Sequence, residues 1–114
     1  MDKYLLIQTT TDNDKWTTNL VKALLENKLS ADVQVSSIDS HYWWKGKVNN
    51  KVESLLSIKT RADLFEQVKA TIKEYSEYEV PQIIATPIVA GSSDYLNWIK
   101  ESTCRFVQNK KEPK

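Results

Sequence analysis

Apolar and polar positions alternate along this chain in two periods, and the longest run of the shorter one spans residues 38–61, IDSHYWWKGKVNNKVESLLSIKTR. Its first arm carries His41, Tyr42, Trp43 and Trp44; its second passes through Val48, Val52, Leu55, Leu56 and Ile58 to Lys59-Thr60-Arg61. The two arms read as long β-strands joined near Lys45-Gly46. Arms of roughly ten residues reach about 33 Å, whereas an ordinary strand has about five or six residues. The helices read below span roughly 20 Å, and a domain of this length has a radius of gyration of about 13 Å. Those helices cannot cover the hairpin, so something else packs against its aromatic end.

The other elements follow in order. Residues 4–7, YLLI, form a short apolar run of the kind found in a strand buried on both faces. Residues 9–14 carry turn and helix-start chemistry, and a helix over about 14–28 places Trp16, Leu20, Ala23, Leu24 and Asn27 on one face. Alternation over 32–35 starts a second strand, and Ser36-Ser37 predicts a bend or bulge before the hairpin. Thr60-Arg-Ala-Asp63 resembles a reciprocal helix cap, with Leu64, Phe65, Val68, Ile72 and Tyr75 marking the helix that follows. Pro81 forces an extended connector. Residues 82–89 form a strand in which Pro87 marks an edge position or a strand end, and residues 91–93 cap a short last helix over about 94–103. Strand, helix, strand, strand, helix, strand and a further helix give an α+β fold. With right-handed crossovers it is the ferredoxin-like βαββαβ arrangement, a four-stranded antiparallel sheet with two helices on one face. The long second hairpin and the extra C-terminal helix are additions to it.

Composition narrows this reading. The 114 residues make one domain over 1–103, with a disordered basic tail expected at 104–114. A net charge of +1 gives no bias toward nucleic acid, and the basic stripe expected of such a binder is missing. No apolar run approaches the roughly 20 residues that cross a bilayer, and the N-terminus does not read as a signal peptide. The single cysteine, Cys104, excludes an internal disulfide and fits a reducing cytosol.

Several stretches together resemble the CutA family of divalent-cation tolerance proteins: SHYWWKGKV (40–48), SIKTR (57–61), YEVPQIIATPI (78–88) and DYLNWI (94–99), with TTTD (9–12) and KLSADVQV (28–35). The resemblance implies a ferredoxin-like subunit in a tight homotrimer, related in architecture to PII signalling proteins, and a link to divalent cations, copper among them. A physical argument points the same way. Burying a Trp removes roughly 150–250 Å² from water, about 4–6 kcal/mol as an upper bound. Adjacent tryptophans on a strand face opposite ways, so one small subunit does not cover both, a need that the threefold ring implied by the resemblance would meet.

Candidate chemistry is sparse. The positions that match the family's proposed copper ligands are Gln8, Tyr75 and Ser76, with Asp32 at another family cysteine; none is the thiolate, thioether or imidazole a soft metal prefers. His41 is the one weak metal candidate and more simply an ordinary strand residue. Ser37, Asp39 and His41 share a strand face, but residues two apart stand about 6.6–7 Å from one another, too far for a triad's hydrogen-bonded relay. With two glycines there is neither a P-loop nor a dinucleotide fingerprint. The best site is a cleft between subunits. Lys59, Thr60 and Arg61 stand where a strand enters a helix N-terminus, which favours a small anion or nucleotide. Tyr42, Trp44 and Lys47 on the hairpin, Tyr78, Glu79 and Pro81 before the last strand, and Trp98 on the last helix match the family's motifs and would line that cleft. Against this, Thr60 caps a helix, Arg61 pairs with a carboxylate and the aromatics pack an interface.

Overall fold

In the computed structural model, which describes residues 3–103, the strands β1 (Tyr4–Thr11), β2 (Asp32–Trp44), β3 (Lys47–Arg61) and β4 (Ile84–Pro87) form one sheet in the order β2-β3-β1-β4. Every neighbouring pair is antiparallel. Helices α1 (Asp14–Glu26) and α2 (Phe65–Tyr75) cover one face, and α3 (Ser93–Ser102) follows β4. The ferredoxin-like arrangement is therefore present, with the long hairpin and the added helix. The expected disordered tail and Cys104 lie outside the described residues.

The core forms where the two periods meet. Trp16, Leu20 and Leu24 recur down α1, and Val68 and Ile72 down α2, at helical spacing. They close on Ile7 of β1 and on Leu56 and Ile58 of β3. Asn13 starts α1 by accepting the Trp16 backbone N–H at 2.8 Å, as its type favours. On the opposite face Ile99 of α3 is fully buried, and Tyr95 donates to Asp32 at 3.2 Å. Alternation along β3 turns Lys59 away from the face of Ile58, so α3 backs the sheet's second face at the Lys59 end.

Four local expectations are corrected. The turn expected over residues 9–14 is shorter, because β1 continues to Thr11 and pairs down to Thr11↔Ser54. Thr9 and Thr11 are buried, and the Thr11 hydroxyl satisfies itself on Thr17 at 2.5 Å. Ser36-Ser37 makes no bulge: Ser36↔Leu55 and Ser37↔Ser54 continue an unbroken one-to-one register. Thr60 does not cap a helix. It is the penultimate residue of β3, and its hydroxyl donates to the Leu29 carbonyl at 2.6 Å. A short 3-10 turn, Ala62–Leu64, then leads into α2, and neither start has a side-chain cap. The last strand is four residues, Ile84–Pro87, narrower than residues 82–89.

The hairpin is as long as its pattern implies. β2 and β3 pair from Asp32↔Lys59 to Trp44↔Lys47, turning at Lys45 and Gly46, both with positive φ (52° and 79°). That pair of conformations suits the right-handed twist of the flanking strands. β1 covers only Ser54–Arg61 of β3, so residues 47–53 pair with β2 alone. This leaves an arm of two-stranded ribbon about 23 Å long at strand rise. The radius of gyration, 15.2 Å, and the longest extent, 49 Å, record the overhang.

Candidate functional site

The expected site residues fall into three groups. At the arm's tip are Tyr42, Trp44 and Lys47, the last two directly paired. At the arm's root are Tyr78, Glu79 and Pro81, in the connector between α2 and β4. At the far end of β3 are Lys59, Thr60 and Arg61, with Trp98 nearby on α3. Lys47 and Lys59 are the width of twelve strand steps apart, about 40 Å. One subunit does not bring tip and far end into a single site.

The far end is internally paired. Lys59 donates to Gln34 Oε1 at 2.7 Å and bridges Asp32 at 3.4 Å, with its ammonium 5.9 Å from the Tyr95 ring centroid. Tyr95 in turn leans on Trp98 at 5.4 Å between ring centroids. Arg61 grips Asp63 through two bonds, Nε to Oδ1 at 3.0 Å and Nη2 to Oδ2 at 2.8 Å, the planar fork matching the carboxylate. Its Nη1 is buried with no hydrogen-bond partner among the described residues. Thr60 is fully buried. Both cations already hold carboxylates, so an incoming anion would have to displace them.

The root is where side chains from distant segments converge. Tyr78 donates to Glu53 Oε2 at 2.5 Å, and its ring meets the Trp16 indole edge-on, centroids 4.9 Å apart at 85°. The Lys51 ammonium lies 4.7 Å from the Tyr78 ring centroid, 3.4 Å from its hydroxyl and 3.0 Å from Asp12 Oδ2. Asn13, beside Asp12, donates to Glu77, beside Tyr78, at 3.0 Å. The Trp16 indole N–H is buried under this group without a hydrogen-bond partner among the described residues.

Charge follows this geometry. Burial pushes the Asp12 carboxyl up, but the hydrogen bonds from Lys51 and Asn13 and the Lys51 charge outweigh it and hold the group below its ordinary value. The bond to Asp12 raises the Lys51 ammonium, with burial opposing. Burial and the bond to Glu53 raise the Tyr78 phenol far above its usual value, so it remains a donor. Of this group the sequence pointed to Tyr78. Asp12 ends the TTTD stretch, and Lys51 and Glu53 flank Val52, but their partners lie 39 and 25 positions away.

Metal chemistry has little to work with in one subunit. Among the described residues no three His, Cys, Asp or Glu side chains gather closely enough to hold an ion. His41 stands on the exposed arm opposite Asn50. Gln8 donates to Ser57, Ser76 is engaged with the Tyr78 backbone, and Asp32 holds Lys59.

Known proteins share this architecture. The crystal structure of CutA1 from Oryza sativa superposes with a TM-score of 0.87 at 37% identity, covering 91% of this chain and 96% of that one. The rice "Protein CutA 1, chloroplastic" is 40% identical over 100 residues, covering 87% of this chain. The chain spans only 56% of that relative's length. The "Divalent-cation tolerance protein CutA" of Thermus thermophilus is 36% identical over 104 residues, covering 90% of this chain and 99% of the relative. Residues 5–102 match the family model described as CutA1 divalent ion tolerance protein, and the chain belongs to that family.

Proposed function

We propose that this chain is the subunit of a closed homotrimer that serves divalent-cation tolerance as a binding and assembly protein, without catalysing a reaction. The observation that carries the assembly is the bare face of the arm. Trp43 (73% exposed), Val48 (63%), Val52 (64%) and Val35 (49%) lie on the strand face that α1 and α2 cover elsewhere. His41, Asn50 and Asp39 interleave with them on that face, and such a set of large exposed apolar side chains among polar ones suits contact with a partner. Both outer strands, β2 and β4, also present unpaired edges within the subunit, an aggregation risk that a ring removes. In such a ring the tip residues Tyr42, Trp44 and Lys47 of one copy approach the Lys59 and Trp98 end of the next. The roughly 40 Å separating them within a chain is then no obstacle to one intersubunit cleft, which Tyr78, Glu79 and Pro81 complete.

The cleft's cations are engaged at Asp32 and Asp63, so an anion- or nucleotide-sensing role in the manner of PII is not favoured. A divalent cation is the ligand the family's name points to. The described donors of one subunit do not fit a soft ion such as copper, so no mechanistic step is routed through one. We place the protein in the cytoplasm on its single cysteine. None of the described helices is long and apolar enough to cross a membrane.

Sedimentation equilibrium at micromolar concentration is expected to give three times the 13.2 kDa subunit mass, and a single-subunit mass would overturn the assembly. Titration with Cu²⁺ addresses the ligand. Tight binding that survives His41→Ala and Cys104→Ala would show a soft-metal site that these donors do not account for.

A further inference from the structure

The root cluster lies where the sheet narrows from three strands to two. Residues 47–53 of β3 lose β1 as a neighbour, and a two-stranded ribbon in water is marginally stable and free to twist. At this point Lys51 and Glu53, both on the overhanging part of β3, are held from outside the hairpin. Asp12, just past the end of β1, takes Lys51 at 3.0 Å, and Tyr78 of the α2–β4 connector donates to Glu53 at 2.5 Å. Tyr78 also joins the two links, because the Lys51 ammonium lies over its ring and near its hydroxyl. The Asn13–Glu77 bond ties the two anchoring segments to each other. The ring's other partner, Trp16, is a member of the main core. A connected path of contacts therefore runs from the core through Tyr78 to the arm.

We infer that the Tyr78–Glu53 and Lys51–Asp12 links form a clasp that fixes the direction of the overhanging arm relative to the core and so prepares it for association between copies. The clasp is a property of the single subunit; its consequence for association rests on the assembly reading above. A charged acceptor strengthens such a bond relative to a neutral one. Holding the arm in one orientation before contact also reduces the ordering cost that association otherwise incurs. Without the clasp the ribbon of β2 and β3 opens more often and samples several directions, of which one suits a ring.

Tyr78→Phe tests this, because it keeps the ring on Trp16 and removes the hydroxyl that reaches Glu53. The readouts are amide hydrogen exchange over residues 38–53 and the concentration dependence of the sedimenting mass, with circular dichroism to verify the fold. Exchange in the arm is expected to rise about tenfold or more, the scale set by loss of a hydrogen bond to a charged group, while amides of α1 and α2 stay protected. The midpoint concentration for association should rise by a similar factor. Glu53→Gln, which retains an acceptor oxygen, should behave much closer to the parent than Glu53→Ala. If the parent protein associates and Tyr78→Phe alters neither arm exchange nor association, the clasp is refuted. If the parent proves to be a single subunit, the assembly reading fails by itself. Arm exchange then still decides the clasp, an increase in Tyr78→Phe supporting it and no change overturning it.

Discussion

Tyr78 shows how much one side chain can do when its ring and its hydroxyl are used separately. The ring adds to the core beside Trp16, and the hydroxyl, held protonated by burial and Glu53, reaches the arm. Its neighbours give a testable pH dependence. The Asp12 carboxyl lies below its ordinary 3.8, so the stability it contributes is complete above that value and is lost as the pH falls through the lowered one. The Lys51 ammonium is raised above 10.5, so its contribution is complete below that value and is lost as the pH climbs through the raised one. Urea unfolding of Asp12→Asn at low ionic strength should give a lower midpoint than the parent at neutral pH, with the gap closing in strong acid. A gap that persisted unchanged there would show that the pair contributes no charge-dependent stability. Thr60 carries a second prediction. Thr60→Val keeps the shape and removes the donor to the buried Leu29 carbonyl, and should cost about 1–2 kcal/mol in urea unfolding. These roles were poorly legible in the sequence for one reason. Thr60 with Asp63 resembles a cap because both lie in one short window, whereas the true acceptor is 31 positions upstream.

Whole elements were easier to read, because periodicity is local. The alternation from Val48 to Ile58 and the helical spacing of Trp16, Leu20 and Leu24 gave β3 and α1 nearly as they stand. The departures occur where polar residues do strand work. Thr9 to Thr11 look like turn residues, yet as β-branched side chains they fit a pleated surface and extend β1 alongside β3. Ser36 and Ser37 have weak strand propensity, but Leu55 and Ser54 opposite them hold the register, an instance of pairing overriding intrinsic preference. The hairpin turn is the element's most restrictive point. Gly46 has φ +79° with nothing within 4 Å of where a Cβ would sit. Gly46→Ala should therefore cost about 1 kcal/mol through backbone strain alone, with no steric contribution. Thermal unfolding measures it, and a cost several times larger would mean that the tip touches something in the assembled protein.

At the scale of the molecule, the decisive quantity is the mismatch between the hairpin and the helices meant to cover it. That mismatch was visible in the sequence as arms longer than any helix, and the structure realises it as a 49 Å extent in a chain with a 15.2 Å radius of gyration. The number of copies is not legible there, since nothing in one chain's pattern counts its neighbours; the threefold closure proposed above rests on the family resemblance. The strip of Trp43, Val48 and Val52 can nevertheless be tested without knowing that number. A buried Trp is worth at most about 4–6 kcal/mol, and an aspartate placed in a packed apolar contact carries a desolvation cost on top of that loss. Trp43→Asp combined with Val52→Asp should thus abolish association at micromolar concentration. Folding should survive, because neither side chain belongs to the core of Ile7, Leu56 and Ile58. Sedimentation should then return the 13.2 kDa subunit with an unchanged circular dichroism spectrum. If the double variant keeps the parent's mass, the arm's apolar face is not the contact. The unpaired edges of β2 and β4, the latter with Ile84 half uncovered, would then be the next surfaces to test.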